Sequence, residues 1–329
     1  MLKLFVSLVF VGLALLSLGE PLSGTNWAVI VCSSRYWFNY RHFANALAIY
    51  RTLKARGYDD EHIIFMSSME PACDTRNPYV GEIFTTRSEL QKDLYSNDTQ
   101  IDYKGSECNV ESFMRLLTGR VSPGTPTSKQ LLSDEESKIL IYLTGHGGDE
   151  FLKFHDTQEV SSQDMDYVFK EMRLKRRFKE ILLIVDTCQA STFANSIETS
   201  NVYTLTSSLK GENSYAYETN TDLGVAVLDR FTHALVAFLD RHRHKQEGRK
   251  VRSIRDLVNS FDRRFLYSTA TLQVSTDSER SPGSIPIADF FESSSPPRDF
   301  EAFKSPHHPS ERTYTEADIP FVTYNEMYV

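Results

Sequence analysis

The sequence predicts an α/β protein with three layers, in which helices cover both faces of a mostly parallel β-sheet. Two observations support this fold class. Short, continuous apolar segments recur along the chain, and amphipathic segments with helical spacing separate several of them. Apolar segments without alternation are typical of parallel strands that are buried on both faces. Strands that alternate with helices form right-handed βαβ units, which give an αβα sandwich.

The elements can be assigned in chain order. A buried strand is predicted at 26–34, a helix at 39–58 with Gly57 at its end, and a second strand at 62–68. Residues 70–135 are rich in turn-forming residues and predict a long insertion over the sheet. Further strands are predicted at 137–148, 180–188, 201–208 and 269–274, and further helices at 110–117, 162–177, 225–243 and 252–266.

Length and charge restrict the class of protein. The 329 residues are sufficient for one large domain or two small ones. The net charge of −8 argues against nucleic acid as the main partner, because nucleic-acid-binding domains are usually basic. We therefore expect a globular protein whose main partner is not a nucleic acid.

The N-terminus has the layout of a secretory signal peptide. Lys3 precedes an apolar run at 4–18, and small residues stand before Glu20. The run is shorter than the roughly 20 residues that a spanning helix needs, which favours cleavage over a retained signal anchor. We therefore predict a cleaved signal peptide at 1–19, one domain at 25–291, and a polar extension at 292–329.

Because a signal peptide predicts entry into the secretory pathway, the cysteines are expected to lie in an oxidising compartment. The four cysteines are Cys32, Cys73, Cys108 and Cys188. If Cys188 is a catalytic thiol, the odd remainder indicates an intermolecular disulfide or a free thiol, with Cys32 expected to be buried in the first strand. A sequon at Asn97 is compatible with lumenal glycosylation.

Two predicted strands end in residues that could do chemistry. "ILIYLTGHGG" delivers His146 and "ILLIVDTCQA" delivers Cys188, 42 positions further along. That separation accommodates a loop, a helix and a neighbouring strand, so both side chains should emerge at one edge of the sheet, where α/β proteins bind ligands. The glycines around His146 allow a sharp turn, and their amides could face an oxyanion.

This pairing suits nucleophilic catalysis. A thiol with its ordinary pKa of about 8.5 is only slightly ionised at neutral pH, and an adjacent imidazole can accept its proton. Attack on a carbonyl would leave a thioester, which either water or an amine resolves. One alternative is that Cys188 is merely a small buried residue. A zinc site with Asp186 lacks the further ligand pairs that zinc requires. A serine hydrolase would need a Gly-x-Ser-x-Gly elbow, which does not occur in the sequence.

The motifs resemble a known family. "SRYWFNYRH", "YLTGHGG" and "IVDTCQA" are similar to the legumain-related cysteine peptidases of the caspase–haemoglobinase fold. "LLTGRVSP" and "SKILIYLTGHGGDEFLKF" resemble, within that family, the catalytic subunits of glycosylphosphatidylinositol (GPI) transamidases, over about 25 to 291. The resemblance implies an enzyme of the endoplasmic reticulum lumen that cleaves the C-terminal signal of a proprotein and transfers the protein to the amine of a GPI lipid. A legumain-like asparaginyl endopeptidase and a non-catalytic scaffold subunit are the alternatives.

The resemblance also implies roles for individual residues. Cys188 would be the nucleophile, His146 the acid–base group, and Asn39 the residue that orients the histidine, with Gly147 and the Cys188 amide in the oxyanion hole. The implied substrate-binding residues are Arg41, Ser207, Ser208 and Asp229.

The same resemblance implies partners and one ion. Cys73 would form a disulfide with another transamidase subunit, although pairing with Cys108 is the competing possibility. No cofactor is required for the chemistry, and a structural calcium near Asp60 and Asp102 is implied. Many family members continue into a C-terminal transmembrane helix, whereas the predicted extension at 292–329 is polar. Membrane association is therefore expected to depend on partner subunits.

Overall fold

The computed structural model describes residues 25–86, 93–242 and 251–294. The predicted signal peptide at 1–19 and nearly all of the predicted extension at 292–329 lie outside these residues. No helix in the described ranges combines the length and hydropathy needed to cross a membrane.

Within the described residues, twelve strands form one large sheet and two small ones. In chain order they are β1 (Trp27–Cys32), β2 (Ile63–Ser67), β3 (Tyr103–Lys104), β4 (Lys138–Thr144), β5 (Gly147–Gly148), β6 (Phe151–Phe154), β7 (Gln158–Ser161), β8 (Glu180–Asp186), β9 (Val202–Thr206), β10 (Ala216–Asn220), β11 (Val225–Asp229) and β12 (Thr271–Val274). The large sheet has the order β12-β9-β8-β4-β1-β2-β3. All of its neighbours are parallel except β12 and β9, which are antiparallel.

Seven α-helices accompany the strands in the same part of the chain. They are α1 (Tyr40–Lys54), α2 (Val110–Thr118), α3 (Ser162–Leu174), α4 (Arg230–Arg241), α5 (Ile254–Val258), α6 (Arg263–Leu266) and α7 (Ala288–Phe291). Helices α1 and α4 pack together on one face of the sheet, and α2 and α3 on the other. The predicted three-layer αβα fold with a mostly parallel sheet is therefore confirmed.

The strand β1 shows why the sheet needs two helical layers. All six of its residues are buried, and successive side chains point to opposite faces. Ala28, Ile30 and Cys32 belong to the core under α1 and α4, whereas Val29 and Val31 belong to the core under α2 and α3. A continuous apolar strand buries its whole surface only in such an arrangement.

Local capping sets the helix boundaries. Helix α3 begins with a capping box in which Ser161 accepts a hydrogen bond from the Asp164 amide and Asp164 accepts one from the Ser161 amide. Helix α2 begins at the side-chain cap of Asn109 and ends at Gly119, which has a left-handed backbone. These signals explain why the predicted helices at 110–117 and 162–177 agree closely with the structure.

Three predicted elements need correction. The predicted helix at 225–243 begins only at Arg230, because 225–229 is the strand β11, paired with β10. The predicted helix at 252–266 is two short helices separated by 259–262. The predicted insertion at 70–135 also contributes an edge strand, β3, and helix α2 to the layers themselves.

Candidate active site

The two reactive residues follow adjacent strand ends. Strands β4 and β8 are parallel neighbours, and their last residues, Thr144 and Asp186, are paired in register. The Gly145 amide continues the pairing by donating to the Asp186 carbonyl at 3.4 Å. His146 and Cys188 each lie two residues beyond these ends, and both are half-buried. The structure therefore brings the predicted pair to one edge of the sheet, which is the usual position of an α/β active site.

Asn39 fixes the orientation of the His146 ring. Asn39 Nδ2 donates to the Arg35 carbonyl at 2.6 Å, so its Oδ1 must face His146 Nε2, which lies 2.8 Å away. An amide oxygen only accepts, so Nε2 carries the proton and Nδ1 has the free lone pair. Asn39 is buried; it is the last residue of the 3₁₀ turn Trp37–Asn39 and directly precedes α1. The geometry agrees with the predicted orienting role.

His146 is held mainly in its neutral form. Partial burial lowers its pKa, and the nearby Arg41 cation lowers it further. A neutral imidazole with Nδ1 unprotonated is the form that can accept a proton from a thiol.

A second histidine lies behind the first. The His42 ring meets His146 edge to face, with centroids 5.0 Å apart, and its Nδ1 lies 2.8 Å from Ser34 Oγ. Burial lowers the pKa of His42 well below its usual range. The uncharged His42 ring therefore packs against the His146 ring and restricts its movement. The sequence analysis did not identify His42, although its spacing of three from Asn39 on a helix was a usable signal.

Helix α1 also reaches the carboxylate of Asp229. Arg41 Nε lies 3.2 Å from Asp229 Oδ1, and Asn45 Nδ2 donates to Oδ2 at 2.6 Å. The Asp229 amide in turn donates to Asn45 Oδ1 at 2.9 Å. The i, i+4 spacing of Arg41 and Asn45 places both on one face of the helix. Two predicted substrate-binding residues are thus joined, with Asn45 as a partner that sequence analysis missed.

A second buried carboxylate lies beneath the nucleophile loop. Asp186, the last residue of β8, accepts from Ser214 Oγ and Thr232 Oγ1, both at 2.7 Å. Burial raises its pKa, and the charge of Asp229 raises it further. The sequence analysis weighed Asp186 only as a zinc ligand. Among the described residues no group of three or more potential ligands could hold a metal ion.

Ser207 and Ser208 hold the loop that carries Cys188. Both hydroxyls donate to the Thr187 carbonyl, at 3.0 and 2.8 Å. Ser207 Oγ also accepts from the Thr187 amide, and Ser208 Oγ from the Ala190 amide. Both serines are fully buried, and these hydrogen bonds stabilise the loop. Their contact with substrate stays a prediction.

Gly147 packs tightly against the same loop. A Cβ atom at this position would lie 2.6 Å from the Phe151 carbonyl oxygen and 2.7 Å from Thr187 Oγ1. Only glycine fits such a close approach without displacing the loop. The predicted oxyanion residue is therefore packed against the residue that precedes Cys188.

The other three cysteines differ in how far their side chains are buried. Cys73 is exposed, whereas Cys32 and Cys108 are fully buried, as was predicted for Cys32. All three thiols are free in the structure, and Cys108 Sγ lies 3.7 Å from the Cys32 carbonyl oxygen. The competing pairing of Cys73 with Cys108 is thus not formed. Asn97 lies exposed in a turn.

The implied calcium ligands are close together but few. Burial raises the pKa of Asp102 to about 6, and the negative charge of Asp60 contributes to this rise. Asp60 Oδ2 already pairs with Lys54 Nζ at 2.7 Å, and Asp102 Oδ2 accepts from the Phe65 amide. Calcium prefers six to eight oxygen ligands, and these two carboxylates do not fit that number. We assign the ion no part in the chemistry.

Comparison with known proteins gives the family. The family model "Peptidase C13 family" matches residues 26–263. The GPI-anchor transamidase of Schizosaccharomyces pombe is 43% identical over 87% of this chain and 74% of its own length. The GPI-anchor transamidases of Saccharomyces cerevisiae and Mus musculus are each 43% identical, over 81% and 69% of this chain and 63% and 61% of their own lengths. A crystal structure of caspase-1 from Spodoptera frugiperda aligns with a TM-score of 0.44 at 12% identity, over 78% of this chain and 87% of its own.

The family match covers both strand ends, the helix α1 and the loop held by the two serines. It also confirms the resemblance that was read from the three motifs. The chain belongs to the peptidase C13 family.

Proposed function

We propose that this chain is the catalytic subunit of a GPI transamidase, which uses Cys188 to cleave the C-terminal signal of a proprotein and to transfer the protein to the amine of a GPI lipid. The observation that carries the proposal is the paired ends of β4 and β8, because Cys188 and a histidine of fixed tautomer each follow one of these ends by two residues. Relatives that are 43% identical bear the name GPI-anchor transamidase, which supports this acceptor over water.

The first half-reaction forms a thioester. His146 Nδ1 takes the proton from Cys188 Sγ, and the thiolate attacks the carbonyl carbon of the attachment residue. The Gly147 and Cys188 amides stabilise the oxyanion. When the intermediate collapses, the C–N bond breaks and His146 returns the proton to the departing amine of the signal segment.

The second half-reaction transfers the acyl group. The amine of the lipid gives a proton to His146 Nδ1 and attacks the thioester carbon. The C–S bond then breaks, His146 returns the proton to Cys188 Sγ to restore the thiol, and an amide links the protein to the lipid. Attack by water instead would give a free carboxylate, which is the outcome for a legumain-like endopeptidase.

Replacement of the nucleophile tests the enzyme against the scaffold alternative. Cys188→Ala and His146→Ala, expressed at normal levels in cells that lack the native chain, should abolish GPI attachment and cause uncleaved proproteins to accumulate. Asp277→Asn, at an exposed turn residue away from the active site, serves as the control and should leave attachment unchanged. Unchanged anchoring in Cys188→Ala would overturn the catalytic role.

A small amine tests the thioester. Hydrazine added to the active complex should release substrate protein with a C-terminal hydrazide, because it competes for the acyl group. Cleavage that yields only the free acid in the presence of hydrazine would favour the endopeptidase.

We place the mature chain in the lumen of the endoplasmic reticulum, held at the membrane by partner subunits. Two features support this: the signal-peptide layout at 1–19 and the exposed Cys73. N-terminal sequencing should begin near Glu20, and a start at Met1 would contradict cleavage. A non-reducing gel should show a covalent heterodimer that Cys73→Ser abolishes and Cys188→Ala retains. Asn97→Gln should remove one glycan, seen as a faster-migrating band.

A further inference from the structure

Tyr36 has a backbone conformation that residues other than glycine rarely adopt. Its φ is 74° and its ψ is 146°, a combination that is almost confined to glycine, which has no Cβ. The residue directly precedes the 3₁₀ turn Trp37–Asn39, which ends in the asparagine that orients His146. A strained residue persists only where its surroundings hold it, and such residues concentrate at functional sites. The position of Tyr36 indicates that its strain serves the orientation of Asn39.

The unusual φ decides where two carbonyl groups point. The Arg35 carbonyl accepts from Asn39 Nδ2 at 2.6 Å, and the Tyr36 carbonyl accepts from the Asn39 amide at 3.0 Å. In an extended chain, with φ of about −120°, successive carbonyls point in opposite directions. The φ of 74° at Tyr36 rotates the preceding peptide by roughly half a turn from that orientation, so both carbonyls face the same residue. A relaxed Tyr36 would not give Asn39 both hydrogen bonds.

The turn that follows Tyr36 is held by contacts of its own. The Trp37 side chain is buried, and its Nε1 donates to the Leu223 carbonyl at 3.3 Å. Its ring also meets the Tyr40 ring edge to face, with centroids 5.4 Å apart. Because these contacts fix the turn, the peptide between Arg35 and Tyr36 is the part of the loop that relaxation of the strain would move.

A stack of exposed side chains holds that peptide. Tyr36 and Phe38 flank the buried Trp37 in the sequence and are themselves 50% and 58% exposed. Their rings stack with centroids 5.8 Å apart and an interplanar angle of 12°, and the Arg35 guanidinium lies over the Tyr36 ring at 5.4 Å. Stacked aromatic rings and cation–π pairs attract each other even at a surface. Since the stack joins Arg35, Tyr36 and Phe38, it opposes the rotation that would relax Tyr36.

We propose that Tyr36, held by its stack with Phe38 and Arg35, is a positioning residue for His146. The inference rests on the proposed function and adds a residue to it. If Tyr36 relaxed to a negative φ, the Arg35 carbonyl would turn away and release Asn39 Nδ2. The Asn39 amide could then turn over and present a donor to the histidine ring. The tautomer of His146 that is protonated on Nδ1 would be favoured, and it cannot accept the Cys188 proton at that nitrogen.

Two substitutions of Tyr36, assayed in the intact complex with a proprotein substrate, separate the strain from the stack. Tyr36→Ala and Tyr36→Gly both remove the ring, but only glycine adopts a φ of 74° without strain. Tyr36→Ala should lower kcat roughly 10-fold with little change in KM, and Tyr36→Gly should lower it less. This order reverses the usual one, since glycine is ordinarily the more disordering residue in a loop. Tyr36→Phe keeps the ring and should keep the wild-type kcat.

The tautomer of His146 gives a readout that does not depend on the reaction. In the full chain labelled with ¹⁵N-histidine, the NMR signal of neutral His146, assigned by its loss in His146→Gln, should show a proton on Nε2. Tyr36→Ala should add the tautomer protonated on Nδ1, and Tyr36→Gly should add less of it. Arg176→Ala and Arg176→Gly are the matched controls, at an exposed residue with a φ of 54° beyond the end of α3. They should change neither the tautomer nor kcat.

Three results would overturn the inference. A kcat in Tyr36→Ala at least as high as in Tyr36→Gly would show that the backbone strain has no part. A KM that rises while kcat stays unchanged would place the stack in substrate binding instead. An unchanged tautomer in Tyr36→Ala, or a wild-type ring protonated on Nδ1, would mean that Tyr36 does not set the tautomer. If Cys188→Ala leaves GPI attachment intact, the proposed function fails, and the tautomer then decides the inference by itself.

Discussion

Asn39 Oδ1 lies 2.8 Å from His146 Nε2, and this single contact decides which nitrogen of the histidine is the base. Because Asn39 Nδ2 is already committed to the Arg35 carbonyl, the amide cannot turn over. The proton therefore stays on Nε2, and the Nδ1 lone pair is directed away from Asn39. In a Cys–His enzyme the tautomer matters as much as the distance, since the wrong nitrogen would leave the thiol without an acceptor.

Two substitutions of Asn39 should have different effects. Asn39→Ala removes the acceptor and allows either tautomer, so we expect kcat to fall by roughly 10- to 100-fold, less than the loss on removing a general base. Asn39→Asp keeps the acceptor but adds a negative charge, which stabilises imidazolium and raises the pKa of His146. Its pH–rate profile should therefore shift to higher pH. Equal profiles for both variants would show that Asn39 acts only through packing.

The pH dependence should report the environment of His146. Burial and the Arg41 cation lower its pKa, so kcat/KM should rise with pH through a value below the ordinary pKa of about 6.5. Arg41→Met removes the cation, and the acid limb should move to higher pH. Arg41→Lys keeps the charge and should keep the limb in place, even if substrate binding weakens. A limb that does not move in Arg41→Met would contradict the electrostatic cause.

Gly147 should be intolerant of even one methyl group. Gly147→Ala places Cβ against the Phe151 carbonyl oxygen and Thr187 Oγ1, at 2.6 and 2.7 Å, so the loop before Cys188 must shift. We expect activity to fall by roughly 100-fold, with destabilisation of about 1–3 kcal/mol from overpacking. Gly283→Ala is the control, because its nearest neighbour is the Arg255 side chain at 3.7 Å. Full activity in Gly147→Ala would mean that the loop moves freely.

How much of the fold and of the site could be predicted from the sequence depended on the kind of residue. Cys188 and His146 were predictable because each ends an apolar strand, and parallel strands end at the same edge. The strand β11 was misread as helix because the apolar residues at 225 and 228 also match helical spacing, and a five-residue run does not separate the two periods. Its pairing with β10, which fixes the strand, is a contact that periodicity does not encode.

The supporting residues were harder to find for a related reason. Asp186 is the polar end of an apolar strand, and only the packing of α1 and α4 against the sheet brings it beside Asp229. His42 and Asn45 are likewise ordinary polar residues of an amphipathic helix until α1 is docked. Ser207 and Ser208 were assigned to substrate by resemblance, which stays a prediction. The hydrogen bonds of their hydroxyls to the backbone of 187–190 are long-range contacts that the sequence pattern does not encode.

The Asp186–Asp229 pair should make stability fall as pH rises. Burial and mutual repulsion raise the pKa of Asp186 above its unfolded value of about 3.9, so the folded state binds the extra proton. The stabilisation is complete below that unfolded pKa and is lost as pH rises through the folded one. Asp186→Asn removes the titration, so the difference in Tm between variant and wild type should grow in favour of the variant between about pH 5 and about pH 8.

Thermal unfolding followed by circular dichroism across that range measures the effect. Asp277→Asn, at an exposed turn residue, is the matched control and should follow the wild-type profile at every pH. The variant keeps one acceptor for Ser214 or Thr232 but not both, so it is expected to lose some Tm at every pH in addition to the pH-dependent change. A difference in Tm from the wild type that has the same size at every pH would contradict the argument. Such a result would mean that Asp186 stays ionised beside Asp229, with Arg41 and Asn45 sufficient to hold both charges.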